Sequence, residues 1–590
     1  SSTITAGSAL NINTTSSLAV SDCDLDASTE LTVSADSIVF NGGTTDAQSI
    51  TVTASDATLR GNQKLVASTS SLHLEATVLD VASCTMTAGT SLNIIASVNA
   101  TFASSSITAG HGFTLDASVS ATLASSSITA GHGLQTTAAS SLALASCTMI
   151  AAGLLKLQSG KVSIQGGSDC ARIIAITAGN LTMGGDLQLT TTGRGTSTTG
   201  KGSDQALSRP GGGGGGAGHG GYGGLLMGLL ARGGVPYGSV ESPVSEGSAG
   251  GTGAALYWSG RWTAQSNAGG AGGGRIRIMV SDTLRMETGC VVSSDGLGGL
   301  SGSKVGGGGG SGGSVWVSAA KMIGGGKIQA NGGGGGSGSA PGGGGAGGRI
   351  AVYQEGVGSP DVDTEAYGGS SAGDRSGPAG TVFVCHTNCK PGTISPSATG
   401  DEQGTVTVDN NGVTSQGWTT MEDAIVGAGL TWRLNHVILK RKAWVKVASS
   451  ALAPAMQSLA VTGGSTLECP NGCMLQFAKD AEVALSTVKS VNMHVQLVCS
   501  RLTVQSSSML SAGIDLTLVT SLPFTVESSS TVTSANGKVQ IVCPSLVVEG
   551  ASTVSAGTSI DVKTETSLVV EGDSTVSAGT SIDVQATTPS

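Results

Sequence analysis

Two histidines stand 21 residues apart in the same hexapeptide, Ile-Thr-Ala-Gly-His-Gly, at Ile107–Gly112 and again at Ile128–Gly133. Imidazoles on a fixed spacing are either half of a metal site or ornaments on a repeat. A working site needs a third ligand and outer partners that orient the rings. The neighbouring repeats place Thr90 and Leu154 after the same Gly, so the row stops at His111 and His132. Both are expected to be solvent-facing turn residues, with no metal bound.

Eleven cysteines offer a second chemistry. Cys385-His-Thr-Asn-Cys389 and Cys469-Pro-Asn-Gly-Cys473 are C-x₃-C pairs. Together they hold four possible zinc ligands, but they lie 84 residues apart, and a disulfide closing each turn is the expected use. Cys84 and Cys147 each precede an apolar ladder residue (Met86, Met149) by two, and Cys23 precedes Leu25 in the same way. Period two turns them inward, as it does Cys499 and Cys543 in the matching "LVCSRLTV" and "IVCPSLVV". Cys84 and Cys147 are three coils, about 14 Å, apart. A disulfide requires about 7 Å, so these read as buried small-residue fillers. Ser105 and Ser126 occupy the equivalent positions between them. An odd count leaves at least one free thiol.

Asp361, Asp363 and Glu365 form the one dense acidic group, beside Gly and Pro in an expected loop. Clustered carboxylates in a groove, often with a basic residue, cleave polysaccharides on some solenoids, but an expected loop is no such groove, and no catalytic residue or cofactor is assigned. The glycine runs lack the Lys-Ser/Thr ending or strand–loop–helix setting of a phosphate cradle. Thr-Val-Thr at Thr51, Thr405 and Thr531 does not recur on consecutive coils, which weighs against an ice-binding ladder. Asn13, Asn99 and Asn180 open Asn-x-Thr sequons and are candidate N-glycosylation sites.

The elements that carry these residues follow from a repeat. The apolar residue of the x-Thr-x-Gly step, or its equivalent, falls at Ile4 and Leu25, then at Met86, Ile107, Ile128 and Met149, 21 residues apart within each group. Leu25 to Met86 spans 61 residues, or three slightly irregular units. Near the C-terminus the same role is read at Leu467, Val488, Met509, Val532, Val554 and Val576. Within a unit, short alternating runs of Val, Ile, Leu and Thr are broken by Gly, Ser, Ala and Asn, which predicts strands and turns. Met421–Leu430 comes closest to a helical stripe and contains two glycines. Several short strands per ~21–22 residues predict an all-β chain, a parallel β-solenoid whose coils stack at about 4.8 Å.

Between residues 195 and 380 the composition shifts to glycine runs such as "PGGGGGGAGHGGYGG" (Pro210–Gly224) and "NGGGGGSGSAPGGGGAGGR" (Asn331–Arg349). Alternating strands follow them directly, as in "GGGRIRIMV", "GGSVWVSA" and "GGRIAVY". The runs therefore read as long loops inserted at one corner of successive coils. One such loop alone stays floppy, because glycine loses the most entropy on fixing. Several side by side, with no side chains to separate them, can pack as a polyproline-II-like bundle. The expected organisation is N-terminal coils over 1–194, a glycine-rich module over 195–380, irregular β coils over 381–450 and C-terminal coils over 451–590.

Composition narrows the function classes. A formal charge of −10 and a pI near 5.2 give no basic footprint for nucleic acid. Lys440-Arg441-Lys442 leads into the alternating strand Ala443–Val447 and reads as a solvated face. No apolar run approaches the roughly 20 residues of a membrane span, and "LLMGLL" (Leu225–Leu230) is too short. The chain opens on Ser1 without the shape of a signal peptide, as a processed product or the ordered part of a larger protein would.

"ITAGNLTMGGDLQLTTTG" (Ile176–Gly193) and the repeated "SAGTSIDV" resemble coils of filamentous-haemagglutinin-type β-helices, which are secreted adhesins and surface rods. "GGGGAGGRIAVY", "GPAGTVFV" and "GTVTVDNNG" are similar to glycine-rich repeats of very large extracellular proteins of microbes and protists, and the glycine runs to the polyglycine bundles of some receptor ectodomains. These resemblances cover most of the chain and imply no catalytic residue. They imply an extracellular structural protein that assembles with copies of itself or with other surface proteins as a filament, hair or sheath. Flagellar hairs are one setting. The other reading they leave is an adhesin that binds glycan or a cell surface through the glycine-rich region.

Overall fold

A computed structural model describes residues 2–195, 213–224, 233–254, 257–258, 261–262, 266–356, 361–373, 375–386, 403–415, 417–420, 436–447 and 457–586. Within them the chain is all-β, a parallel solenoid of about 23 turns of about 22 residues. No helix among the described residues is long and apolar enough to cross a membrane. Leu225–Leu230 and Met421–Leu430 lie outside the described residues.

Hydrogen-bonded register fixes the coil length. Met86 pairs with Ile107, Ile107 with Ile128 and Ile128 with Met149, each 21 residues on. The three irregular units are Leu25 to Thr45, Thr45 to Leu65 and Leu65 to Met86. In the C-terminal coils the ladder corrects one sequence assignment. Val488 pairs with Leu510, not Met509, and Leu510 with Val532. Leu510 is fully buried while Met509 is 43% exposed. The coil there has 22 residues, and the extra residue shifts the inward parity by one.

Alternation does the packing. In Gly112–Ala117 the side chains of Phe113, Leu115 and Ala117 are buried and those between them are not. A fully buried Leu, Ile or Phe contributes roughly 1.5–3 kcal/mol relative to exposure, and each coil supplies several. At the corners Ser83, Ser104, Ser125 and Ser146 take positive φ of 50–55°, a conformation that costs a non-glycine residue. The residue after each turns inward.

Those inward corner residues form a ladder that sequence reasoning treated as mere filler. The Cys84 N–H donates to Ser105 Oγ (3.3 Å) and the Ser105 N–H to Ser126 Oγ (3.2 Å). In the C-terminal coils the ladder is longer. The N–H groups of Ala443, Ser465, Ser486, Ser508, Ser530 and Ser552 donate to Oγ of Ser465, Ser486, Ser508, Ser530, Ser552 and Ser574. Each hydroxyl thus captures a corner amide that the strand ladder leaves unpaired.

The buried residues form two clusters. One runs from Val20 to Val382 and the other is built chiefly from residues beyond Ala351. They meet across Arg349–Gln354 and Thr381–His386. Ile350 and Val352 face the first core, whereas Ala351 and Tyr353 face the second. Val382 faces the first and Phe383 and Cys385 the second. Thr381–His386 then pairs antiparallel with Gln403–Asp409, after which parallel stacking resumes through His436–Lys440. Strand direction and inward face both reverse at this point. The two reversals together equal a half-turn about the stacking axis, so both solenoids wind with the same hand.

The glycine-rich connections all follow one ladder of short strands, Gln188–Thr190, Val291–Ser293, Lys327–Gln329 and Asp363–Glu365. They return at Arg275–Met286, Ser314–Gly324, Arg349–Gln354 and Thr381–His386. They therefore leave one corner and pack on one another. The segment 306–313 lies at their centre. Amides of Gly306, Gly309 and Gly312 donate to Ala340, Gly343 and Ala346, and those of Gly307, Gly310 and Gly313 to Leu300, Leu297 and Ser294. Amides of Gly308 and Ser311 donate to Gly251 and Ser248, and all eight bonds measure 2.7–3.0 Å. Each set recurs every third residue, the period of a polyproline-II helix. Carbonyls on the same segment accept from 214 and 217, from 333 and 336, and from 270 and 273. Six neighbours surround one strand, three donor-side and three acceptor-side. A Cβ on Gly306, Gly308 or Gly309 would collide with the carbonyl oxygen of Gly336, Gly215 or Gly333.

Candidate functional site

The sequence-selected residues are dispersed. His111 and His132 are exposed, with ring centroids 4.2 Å apart in an edge-to-face arrangement. Their backbones continue the coil ladder, the His132 N–H donating to His111 O and the Gly153 N–H to His132 O. Among the described residues no group of three His, Cys, Asp or Glu is placed to hold a metal ion. Asp363 and Glu365 are not in a loop. They lie on the strand Asp363–Glu365, where Thr364 between them faces the other way. Glu365 pairs with Lys327 of the adjacent coil at 2.8 Å. Asp361 precedes this strand and is exposed.

Cys385 and Cys469 are disulfide-bonded. Cys389 lies outside the described residues, and Cys473 falls on the strand Cys473–Gln476. The inward cysteines are buried, with Cys84, Cys147, Cys499 and Cys543 each at most 4% exposed. Burial raises their thiol pKa, to about 11 for Cys84 and Cys543 and to about 12 for Cys499, and does the same for Cys290, also to about 12. Cys23 and Cys170 are half-buried free thiols. Asn13 and Asn180 are exposed; Asn99 is half-buried and accepts a hydrogen bond from Ser120 Oγ at 2.6 Å. Asn180 Oδ1 accepts from the Thr283 amide at 3.3 Å.

The basic run is bound to its own partners. Lys440 closes the strand His436–Lys440, and Arg441 and Lys442 form a turn at positive φ. Asp409 takes both Lys440 and Arg441, and Arg441 also donates to the Tyr367 hydroxyl. Nearby, Lys446 sits 3.7 Å from the Trp418 ring centroid and 3.1 Å from Glu468, which also accepts from Trp444 Nε1.

Two buried ionisable groups, His219 and Asp169, and the half-buried Asp295 escape the sequence reading. His219 is fully buried in the glycine bundle, its Nδ1 2.7 Å from Gly312 O. Burial, then the charge of Arg349, lowers its pKa to about 3. It is therefore neutral, donating from Nδ1. Asp295 accepts from Gln329 Nε2 and the Asn331 amide, both at 2.6 Å, and burial lifts its pKa to about 6. Asp169 is 1% exposed and its Oδ2 has no hydrogen-bond partner among the described residues.

A groove runs along the outer face of the first solenoid, beside the segment that carries Ser242. It has a volume of about 820 Å³. Its floor crosses successive coils at Ala139, Gly160 and Gly179, and its walls include Arg277, Trp316, Ser242 and Glu355. Strand parity places Trp316 outward between Val315 and Val317, which are fully buried. Arg277 is its register partner on the adjacent coil, with the guanidinium carbon 4.8 Å from the Trp316 ring centroid. Ser159 Oγ and Trp316 Nε1, on two side chains that line this groove, are both buried without a hydrogen-bond partner. The available sequence signal was an outward Trp in a chain with 3% aromatic residues, on a strand adjoining an outward Arg. Comparison with family models, curated proteins and solved structures finds no match for this chain.

Proposed function

We propose that this chain is a structural extracellular protein, a stiff rod that assembles with copies of itself or with other surface proteins into a filament, hair or sheath. The observation that carries the reading is the stack of about 23 turns. At about 4.8 Å per turn it is a rod on the order of 100 Å long. Every coil holds the next through backbone hydrogen bonds along one axis, which favours stiffness over local motion.

One further feature supports it. Disulfides at Cys385 and Cys469 suit an oxidising compartment.

Negative-stain imaging of the purified chain and of its native assembly tests the proposal. Fibres with an axial repeat on the order of 100 Å are expected. Rods that stay separate at every concentration, and a native location outside any fibre or sheath, would sink it.

A further inference from the structure

We infer that the groove along the outer face of the first solenoid is a binding site for a linear saccharide. The inference is independent of the rod proposal, since a rod assembles with or without a ligand in this groove. Three observations carry it.

The first is the pair of orphaned polar atoms. Ser159 is 7% exposed and Trp316 is half-buried, and neither Ser159 Oγ nor Trp316 Nε1 has a partner among the described residues. Buried polar groups are nearly always paired, and exceptions ask for an explanation such as a ligand. A serine hydroxyl both donates and accepts, while an indole N–H donates only. The two side chains stand three coils, about 14 Å, apart, so a partner that meets both carries acceptors and donors along an extended chain, as the hydroxyls of a saccharide do.

The second is shape. The floor crosses the coils at Ala139, Gly160 and Gly179 and continues past Arg277 and Trp316 to Glu355. Six coils, five steps of about 4.8 Å, give a trough roughly 24 Å long. A trough of that length fits an extended chain of rings better than one compact molecule. The volume of about 820 Å³ falls within the range of ligand pockets.

The third is the lining. Small residues form a smooth floor that a ring can approach closely, and Trp316 offers an apolar body with a polar edge. Arg277, held over the indole by cation–π contact, presents the remaining N–H groups of its planar fork to hydroxyl or carboxylate oxygens. Nucleic acid is a poor fit in a chain of net charge −10.

Isothermal titration of the full chain with cellohexaose and with hexagalacturonate tests the site, the first probing neutral hydroxyls and the second a carboxylate on Arg277. Binding of either probe is expected. Ser159→Ala should weaken it about 3- to 10-fold, the share of one neutral hydrogen bond. Trp316→Ala should weaken it further, and Trp316→Phe, which keeps the ring but not the N–H, should fall between wild type and Trp316→Ala. Unchanged melting of the Ser159→Ala chain separates loss of binding from loss of fold. If neither hexasaccharide binds with a Kd tighter than about 1 mM, or if affinity is the same in wild type, Ser159→Ala and Trp316→Ala, the proposal is overturned.

Discussion

Asp169 places a carboxyl in the solenoid interior with Oδ2 unpaired, and burial raises its pKa to about 7. The folded chain then holds the proton more tightly than the unfolded chain does. Its favourable contribution is complete below pH about 4 and is lost as the pH rises through about 7. The urea midpoint of the wild type is expected to fall between pH 5 and pH 8, and Asp169→Asn should flatten that fall. The inner serine ladder makes a different demand. Ser465 is 1% exposed and accepts the Ala443 amide while donating to Thr462 O at 2.7 Å. Ser465→Ala removes both hydrogen bonds, leaving the Ala443 amide only its long contact with Lys440 O (3.3 Å), and should cost about 1–3 kcal/mol, read as a lower melting temperature. Thiol reactivity separates the cysteines. At neutral pH a maleimide should label Cys23 and Cys170 in the native chain, and Cys84, Cys290, Cys499 and Cys543 only after unfolding, because a buried protonated thiol is a poor nucleophile. The inward cysteines were legible from period two. Ser105 and Ser126 were legible as equivalents of Cys84, but not as hydrogen-bond acceptors, because that role depends on which corner amide the adjacent coil leaves open.

Among the elements, the glycine segments are the most constrained. Gly309→Ala puts a methyl group against the Gly333 carbonyl, with backbone on every side and nothing able to move aside. A cost of at least about 1–3 kcal/mol is expected, with faster hydrogen exchange across 294–314 and 333–346. Gly7→Ala is the control, since a Cβ there meets nothing within 4 Å, and exchange in the bundle should not change. The sequence made the strands legible through alternation, and the glycine runs through composition. It did not reveal which run sits at the centre, because glycine has no side chain to record a face or a register. The 22-residue coils misled by one position at Met509. An exposed methionine beside a buried leucine reads, in sequence, like either member of the pair.

For the whole molecule, the solenoid and its coil length were legible because a period repeated over many turns averages out local irregularity. The half-turn at Thr381–His386 was not read, although its mark is there. "RIAVYQ" and "TVFVCH" are apolar on both parities, as a strand covered on both faces must be. The groove escaped because its lining gathers residues far apart in sequence, from Thr137 to Glu355.

That doubly covered pair of strands has a mechanical consequence. Tension along the axis loads the inter-coil hydrogen bonds end-on, so coils should peel from either end singly. Each release would free about 22 residues, or roughly 70–80 Å of contour. Optical-tweezer traces should show a ladder of such steps. The peeling front should stall at Arg349–Gln354 and Thr381–His386, where one strand must abandon two cores at once. The molecule would behave as two ratcheted springs joined by a rivet, and a broken end would leave the far half intact.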